Sequence, residues 1–326
     1  MVLVRERRRQ EALRLPLPIR IPALQFQQWN THALPMSSNG PESPKIESLS
    51  DLEKLEVLGH GSGGTVYKVQ HNRNSSVYAL KVIRFEQESV GFLKQAISEA
   101  EILKQVDSEF VVKCYRVFDS GRDSEKGDLC FLMEYMEGGS LNDLLRCHGR
   151  LPENVLIGMA KRVLEGLKYL HGLHIVHRDI KPSNLLINAQ GDVKIADFGV
   201  SRMIAGTLDA SDSCQGTCAY MSPERFNSDN RMGSRCDGFP GDVWALGLAL
   251  LECYMGHFPL IAPGKKPDWA TLMCAICFVE PPEIPKTASP EFRSFIYRCL
   301  EKDWRMRATV TELLSHPFVI KYNSSA

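Results

Sequence analysis

The chain has 326 residues, a length that predicts about two domains. Its 39 Lys and Arg residues balance 39 Asp and Glu residues, so the overall charge gives no case for bulk binding of nucleic acid. The longest apolar run, residues 243–256, is too short to span a bilayer and is interrupted by Glu252. A buried core helix explains this run better than a membrane span. We therefore expect neither nucleic acid nor a membrane as a partner.

The ten cysteines indicate a reducing compartment, because they are scattered along the chain and form no small disulfide framework. An arginine follows the first four residues directly, so the N-terminus does not have the pattern of a signal peptide. We expect a cytoplasmic protein, with access to the nucleus open.

Residues 1–50 are predicted to be a flexible extension, because they contain several prolines and, from residue 30 onward, many Ser, Asn and Gly residues. Near its start stand a basic cluster and a Leu-x-Leu pair: Arg7, Arg8, Arg9, Leu13 and Leu15. In an extended segment, such arginines can contact an acidic patch while alternate leucines enter apolar pockets. A solvated basic tail or a weak nuclear-import signal is the alternative.

After the extension, the pattern is first that of strands and then that of helices. Alternating residues predict strands at 52–58, 64–69 and 77–83, a turn at 72–76, and two further strands that end at 131–133. Residues 92–106 have helical periodicity, and the chain is mainly helical from Leu141 onward.

A full G-x-G-x-x-G-x-V pattern, formed by Gly59, Gly61, Gly64 and Val66, connects the first two predicted strands. Glycines at these spacings let a strand–turn–strand approach phosphate oxygens and offer them backbone N–H groups. A dinucleotide-binding fold is the alternative, but it needs a helix after the loop. A β-rich Val-Tyr-Lys-Val follows here instead.

Two triplets account for most of the expected chemistry: His177-Arg178-Asp179 and Asp197-Phe198-Gly199. The first is followed closely by Lys181 and Asn184. Together these residues supply a carboxylate that can take a proton, two metal-ligating side chains and a neighbouring lysine, which are the groups that phosphoryl transfer from ATP requires.

With the glycine loop and Lys81 upstream, these motifs resemble a protein kinase over residues 52–318. The resemblance implies an α+β, bilobal protein kinase fold over residues 51–320. A small β-rich N-lobe (about 51–135) would precede a larger helical C-lobe (about 136–320), with a short tail at 321–326. It also implies ATP as the phosphate donor and Mg²⁺ as the cofactor.

By the same resemblance, Lys81 holds the α and β phosphates of ATP and pairs with Glu99. Glu99 is chosen because it stands four residues before the apolar Leu103, whereas Glu101 would point about 200° round the helix.

The hinge between the lobes is implied at residues 133–141, where Met133 takes the gatekeeper position. Adenine is expected to contact the C=O of Glu134 and the N–H of Met136. The complete predicted ATP site is Leu58, Gly59, His60, Gly61, Ser62, Gly63, Gly64, Thr65, Val66, Ala79, Lys81, Glu99, Met133, Glu134 and Met136.

In the catalytic loop, Asp179 is expected to accept or orient the proton of the attacking hydroxyl, and Lys181 to neutralise charge on the transferring phosphate. Asn184 and Asp197 are expected to hold Mg²⁺, which prefers oxygen ligands.

Further residues are assigned structural roles by the resemblance. His177 and Phe198 pack in the core, Asp242 anchors the catalytic loop by hydrogen bonds, and Glu224 forms a buried ion pair with Arg307.

Residues 216–225, 256–260 and 267–273 resemble plant MAP kinase kinases, in particular the short members without a long C-terminal extension. Thr207 and Ser213 match the two activation-loop phosphosites of that family, although Ser211 offers a competing hydroxyl and the loop 227–240 is longer than the family pattern. The basic cluster and Leu-x-Leu pair then resemble the docking motif for MAP kinases.

The resemblance therefore implies a dual-specificity kinase that phosphorylates the Thr and Tyr of a downstream MAP kinase. Its own activation loop would be phosphorylated by an upstream MAP kinase kinase kinase. Two alternatives stay open: a serine/threonine kinase with other substrates, and a pseudokinase or scaffold. The docking segment argues against the first, and the intact catalytic residues argue against the second.

Overall fold

The computed structural model describes residues 46–61, 64–84, 103, 106–119, 128–197, 218–226, 238–262, 264 and 268–320. All of them belong to one compact unit, Thr31–Ala326.

The N-terminal part is an antiparallel sheet of five strands: β1 (Leu52–Gly61), β2 (Gly64–His71), β3 (Val77–Arg84), β4 (Cys114–Asp119) and β5 (Asp128–Glu134). The strand order is β1-β2-β3-β5-β4. The strands predicted from alternation are confirmed, and so is the turn at 72–76, where Ser75 has a positive φ of 57° and donates its N–H to His71 O.

The two faces of β3 have different neighbours. Leu80 and Val82 are buried in a cluster with residues of β2 and β5, while Lys81 between them faces the other side, as strand alternation requires. Ile46 is fully buried in the same cluster, and its carbonyl accepts a hydrogen bond from Arg116. The folded part therefore begins at least five residues before the predicted boundary at residue 51.

The C-terminal part is mainly helical, as predicted. Its helices are α1 (Leu141–His148), α2 (Glu153–Gly172), α3 (Phe239–Met255), α4 (Trp269–Cys277), α5 (Pro290–Cys299), α6 (Val310–Leu314) and α7 (Pro317–Ile320). A short antiparallel hairpin, β6 (Leu185–Ile187) and β7 (Val193–Ile195), lies between α2 and α3.

Helix α3 forms the core of this part, since residues 242–251 are all buried. Gly247 allows close packing against α5, because a Cβ there would come within 2.5 Å of the Cys299 Cβ. The apolar run seen in the sequence is thus a core helix. No helix in the described part of the chain is long and apolar enough to cross a membrane.

The β6–β7 hairpin joins the two parts by main-chain hydrogen bonds. Ile195 donates to Phe110 O (2.9 Å) and accepts from Val112 N (2.8 Å) ahead of β4. After β5, Ile187 accepts from Gly138 N and donates to Gly139 O, both at 2.9 Å. The hairpin and the sheet are therefore held together at the segment that contains the predicted catalytic residues.

Candidate active site

The predicted catalytic loop is held by one buried carboxylate. Asp242, in the first turn of α3, accepts hydrogen bonds from the backbone N–H of His177 (2.9 Å) and of Arg178 (2.7 Å). The Nε2 of His171 lies 3.0 Å from the same carboxylate. Arg178 has a positive φ of 69°, which costs energy for a side chain with a Cβ. These hydrogen bonds fix the loop in that conformation just ahead of Asp179.

His177 is fully buried, and its ring forms hydrogen bonds both to the backbone of Asp179 and to the backbone of Ala196, which precedes the Asp197-Phe198-Gly199 triplet. Its Nδ1 accepts from the backbone N–H of Asp179 (3.2 Å), so Nε2 must carry the proton that is donated to Ala196 O (3.0 Å). Burial lowers the pKa of His177, which keeps the ring neutral and agrees with this tautomer. The structure thus places His177 in the core.

The two carboxylate oxygens of Asp179 differ in their contacts among the described residues. Its Oδ2 contacts the Lys181 Nζ at 2.9 Å and accepts from the Asn184 amide at 3.0 Å. The Oδ1 is buried and has no hydrogen-bond partner among the described residues. A buried acceptor without a donor is costly, and the hydroxyl of a bound substrate would satisfy it.

Asp197 is paired with the predicted phosphate-binding lysine. Lys81 Nζ lies 2.5 Å from Asp197 Oδ1, and Asp197 has a positive φ of 57°. Burial acts to raise the pKa of Asp197, but the charge and the hydrogen bond of Lys81, together with the charges of His177 and Lys181, outweigh burial, so the pKa lies below its ordinary value. Asp197 is therefore an anion that can bind a cation.

The two predicted metal ligands fit Mg²⁺. Asn184 O accepts from the backbone N–H of Ala196 (2.9 Å), which brings Asn184 next to Asp197. Among the residues that the structure describes, no group of three or more His, Cys, Asp or Glu could hold a metal ion. Mg²⁺ commonly binds through one or two protein oxygen ligands together with phosphate oxygens and water, so this pair suffices.

The glycine loop joins β1 and β2, with Ser62 and Gly63 outside the described residues. Gly64 has φ 105°, and a Cβ there would meet Val82 O at 2.2 Å, so no other residue fits. His60 Nδ1 and Thr65 Oγ1 lie 3.1 Å apart across the turn.

The strand register aligns further predicted ATP-site residues. Val66 pairs with Lys81, and Ala79 pairs with Met133 on β5. Leu58, on β1, is exposed.

At the hinge, Met133 packs against clusters from both parts of the protein, and Met136 is buried. The Glu134 carboxylate contacts Lys194 Nζ at 2.6 Å and accepts from Lys113 N at 3.2 Å. The role of Lys194 was missed because it stands 60 residues away from Glu134 and belongs to no motif.

The predicted pair of Glu224 and Arg307 is in contact. Both Nη atoms of Arg307 donate to the Glu224 carboxylate, at 2.8 and 2.9 Å, and Nη1 also donates to Pro240 O. Sequence reasoning missed a second contact of the same segment, in which the Tyr220 O–H donates to Glu252.

Several predicted residues lie outside the described part of the chain. These are Ser62, Gly63, Glu99, Phe198, Thr207, Ser211, Ser213 and the docking residues Arg7, Arg8, Arg9, Leu13 and Leu15. Their predicted roles stay predictions.

Chemically, the assembled residues can take a proton from a hydroxyl, hold a divalent cation and contact an anionic phosphate chain. A family model for the protein kinase domain matches residues 52–319.

The curated relatives include three proteins of Arabidopsis thaliana that match nearly the whole chain. Mitogen-activated protein kinase kinase 10 is 52% identical over 320 residues, which are 98% of this chain and 99% of that protein. Mitogen-activated protein kinase kinases 9 and 7 are 50% and 48% identical over 319 residues, again 98% of this chain and 99% of each relative.

Proposed function

The chain belongs to the MAP kinase kinases of the protein kinase family, and on this basis we propose that it transfers the γ-phosphate of ATP to a MAP kinase. The acceptors are the Thr and Tyr of the MAP kinase activation loop. The protein therefore acts as a dual-specificity kinase in a phosphorylation cascade.

The observation that supports this function best is the buried Oδ1 of Asp179, which has no hydrogen-bond partner in the part of the chain that the structure describes. Asp179 takes or orients the proton of the acceptor hydroxyl at this atom, while Lys181 and Asn184 hold the other oxygen. Lys181 also lies where it offsets charge on the transferring phosphate.

ATP supplies the phosphoryl group, and Mg²⁺ offsets the charge of its phosphates. Asn184 and Asp197 hold the cation. When ATP binds, Lys81 leaves its ion pair with Asp197 and contacts the phosphates instead. The glycine loop covers the phosphates with backbone N–H groups, and the hinge around Glu134 and Met136 contacts the adenine.

Activation follows the family pattern. Phosphorylation of Thr207 and Ser213 by a MAP kinase kinase kinase adds about −1.5 to −2 charges at each site, which orders the loop against arginines such as Arg178. The basic and Leu-x-Leu segment near the N-terminus holds the MAP kinase, and the protein acts in the cytoplasm with access to the nucleus.

Phosphosite mapping on a panel of kinase-dead MAP kinases tests the function. Incubation with ATP and Mg²⁺ should phosphorylate both the Thr and the Tyr of the Thr-x-Tyr loop in at least one member. Phosphate on Ser or Thr of unrelated proteins alone would favour a serine/threonine kinase. ATP binding without any transfer would favour a scaffold.

A further inference from the structure

Helix α4 contains two cysteines that the kinase reaction does not use. Cys274 and Cys277 stand three residues apart, and Cys277 is the last residue of the helix. Cys274 is exposed and Cys277 is partly buried, whereas Leu272 and Ile276 of the same helix belong to the core. Because residues at i and i+3 are neighbours on one face of a helix, the two thiols lie side by side at the surface.

This pair differs from the other cysteines in the described part of the chain. Cys147 is also exposed, but it is the only cysteine of its helix, α1. Four further cysteines are buried, where an oxidant in solution does not reach them: Cys130, Cys218, Cys253 and Cys299. Of the two exposed thiols, only that of Cys274 has a second thiol on its own helix.

A lysine stands beside the pair. Lys302 Nζ donates hydrogen bonds to the carbonyls of Cys277 (3.4 Å) and of Val279. Burial raises the pKa of Cys277, and the neighbouring Cys274 adds to this effect, while the charge of Lys302 acts in the opposite direction and favours the thiolate. Reactive cysteines are typically partly exposed and close to a cation, and both conditions are met here.

The last turn of α4 can bring the two sulfur atoms together. Helical Cα atoms at i and i+3 lie about 5 Å apart, which suits a disulfide, but their Cβ atoms are about 1–2 Å too far apart. Hydrogen bonds from the N–H groups of Phe278 (2.9 Å) and Val279 (3.1 Å) to Cys274 O close this turn. Both side chains are exposed, so the turn can open without loss of core packing.

We propose that Cys274 and Cys277 form a reversible disulfide when the protein meets hydrogen peroxide or another small peroxide. The Cys274 thiolate attacks one peroxide oxygen, the O–O bond breaks, and the hydroxide that leaves takes up a proton to become water. The Cys277 thiolate then attacks the sulfur of the resulting sulfenic acid, the S–O bond breaks, and a second water leaves. The two thiols are thereby oxidised to one disulfide, and the peroxide is reduced to water.

The disulfide keeps the last turn of α4 open, because the Cβ atoms of a closed turn are too far apart. A strained and exposed disulfide is also easily reduced, so a dithiol reductant restores both thiols and the closed turn.

Mass spectrometry of the full-length protein tests the site. The reduced protein is treated with hydrogen peroxide, free thiols are blocked with iodoacetamide, and trypsin releases the peptide 266–286, which contains both cysteines and no other. We expect this peptide to lose two hydrogen atoms and to take up no iodoacetamide. Treatment with dithiothreitol should restore full labelling of both cysteines.

Serine variants separate the two steps. Cys274→Ser and Cys277→Ser should both lose the disulfide completely. In Cys277→Ser, the sulfenic acid on Cys274 should persist and react with dimedone, which traps sulfenic acids, whereas the wild type should give no such adduct. Cys147→Ser is the matched control at an exposed position and should form as much disulfide as the wild type.

Hydrogen exchange measures the opening of the turn. The amides of Phe278 and Val279 should exchange faster in the oxidised protein than in the reduced protein. The amide of Gly256, which donates to Glu252 O at the end of α3 (2.8 Å), should not change. Equal exchange at Phe278 and Val279 in both forms would contradict the opening.

Three outcomes would overturn the disulfide itself. Peptide 266–286 could keep both thiols under conditions that oxidise Cys147. Cys274 could stop at the sulfenic or sulfinic acid beside a free Cys277 thiol, or it could form a disulfide with a different cysteine. Kinase activity enters none of these measurements, so failure of this inference and failure of the proposed function are distinguished.

Discussion

At the scale of single residues, Asp179 has one carboxylate oxygen, Oδ2, that is held by two side chains, and one, Oδ1, that has no partner among the described residues. Lys181 and Asn184 fix the orientation of the carboxylate through Oδ2, and so Oδ1 keeps a constant direction towards an incoming hydroxyl. The sequence motif predicted the acid, but the difference between its two oxygens comes from hydrogen bonds that only the fold defines.

Replacement of Asp179 by Asn should reduce phosphoryl transfer by about 10²–10⁴-fold, because the amide cannot take a proton. ATP binding should persist, since the predicted contacts to ATP come from other residues. Steady-state phosphorylation of a MAP kinase, together with nucleotide titration, measures both effects. The partly exposed Asp303→Asn, whose carboxylate accepts hydrogen bonds from Arg305 at the surface, is the control and should be fully active. Near-normal activity of Asp179→Asn would remove Asp179 from the mechanism.

His177 gives a prediction for pH. Burial lowers the pKa of His177, so near pH 6.5 and below it the unfolded chain binds a proton at this side chain while the folded chain does not. The free energy of unfolding should therefore fall as the pH drops through and below the ordinary histidine value of 6.5. The melting temperature of the wild type should therefore decline more between pH 7.5 and 5.5 than that of His177→Phe.

His316→Gln is the comparison for this experiment. Burial also lowers the pKa of His316, but this side chain is only partly buried, so its loss should change the pH dependence less. Identical slopes in the wild type and His177→Phe would contradict the assignment of His177 as a neutral, buried group.

At the scale of elements, the pair of Glu224 and Arg307 fixes the segment 218–226 to the end of the helical part. Arg307 is almost fully buried and also donates to the carbonyls of Pro240 and Glu301. Arg307→Met should destabilise the protein by about 3–5 kcal/mol, because it removes both hydrogen bonds that the Arg307 guanidinium donates to the buried Glu224 carboxylate. Thermal unfolding should show a melting temperature lower by at least roughly 6 °C.

Arg305→Met is a control two residues away. Arg305 pairs with Asp303 at the surface, where such pairs contribute at most about 1 kcal/mol, so its melting temperature should stay near that of the wild type. The double variant Arg307→Met/Glu224→Met should regain part of the loss, since both buried charges are then removed together. Equal effects of Arg307→Met and Arg305→Met would show that the buried pair does not stabilise the segment.

The strands illustrate what local pattern can and cannot predict. Alternation predicted β1 to β3 and the turn between β2 and β3, because one face of the sheet is buried. The loop predicted at 227–240 extends too far at its C-terminal end, since α3 already begins at Phe239. Pro240 lies in the first turn of the helix, where proline is tolerated, and Gly238 precedes the helix with φ 80°.

At the scale of the whole molecule, the predictions that relied on motifs placed Asp179, Asn184, Asp197 and Lys81 in one site. Contacts in which one partner is far away in the sequence and belongs to no motif were not predictable, because a single sequence holds no signal for them. Glu134 with Lys194 and Tyr220 with Glu252 are of this kind. Ile46 was assigned to the extension for a similar reason, since one apolar residue among polar ones does not reveal that a sheet face will cover it.

The buried Ile46 limits the length of chain that joins the predicted docking segment to the kinase domain. About 30 residues, Pro16 to Lys45, separate Leu15 from the buried Ile46. If the extension is flexible, as its composition predicts, a chain of that length has an r.m.s. span of roughly 30 Å, and we expect the docking segment and the active site to engage one MAP kinase together. Tethering then gives an effective concentration on the order of mM at the active site.

Alanine at Arg7, Arg8 and Arg9, or at Leu13 and Leu15, should raise KM for an intact MAP kinase by at least about tenfold, because the tethered encounter is lost. Phosphorylation of a short peptide that lacks the docking surface should not change. The arginine variant should also lose most of the salt dependence of KM, since exposed ion pairs are screened by salt, whereas the leucine variant should keep it. Steady-state kinetics on both substrates at two salt concentrations measures all three effects. An equal loss on peptide and intact MAP kinase would mean that the tail supports the kinase domain itself, and the docking role would have to be abandoned.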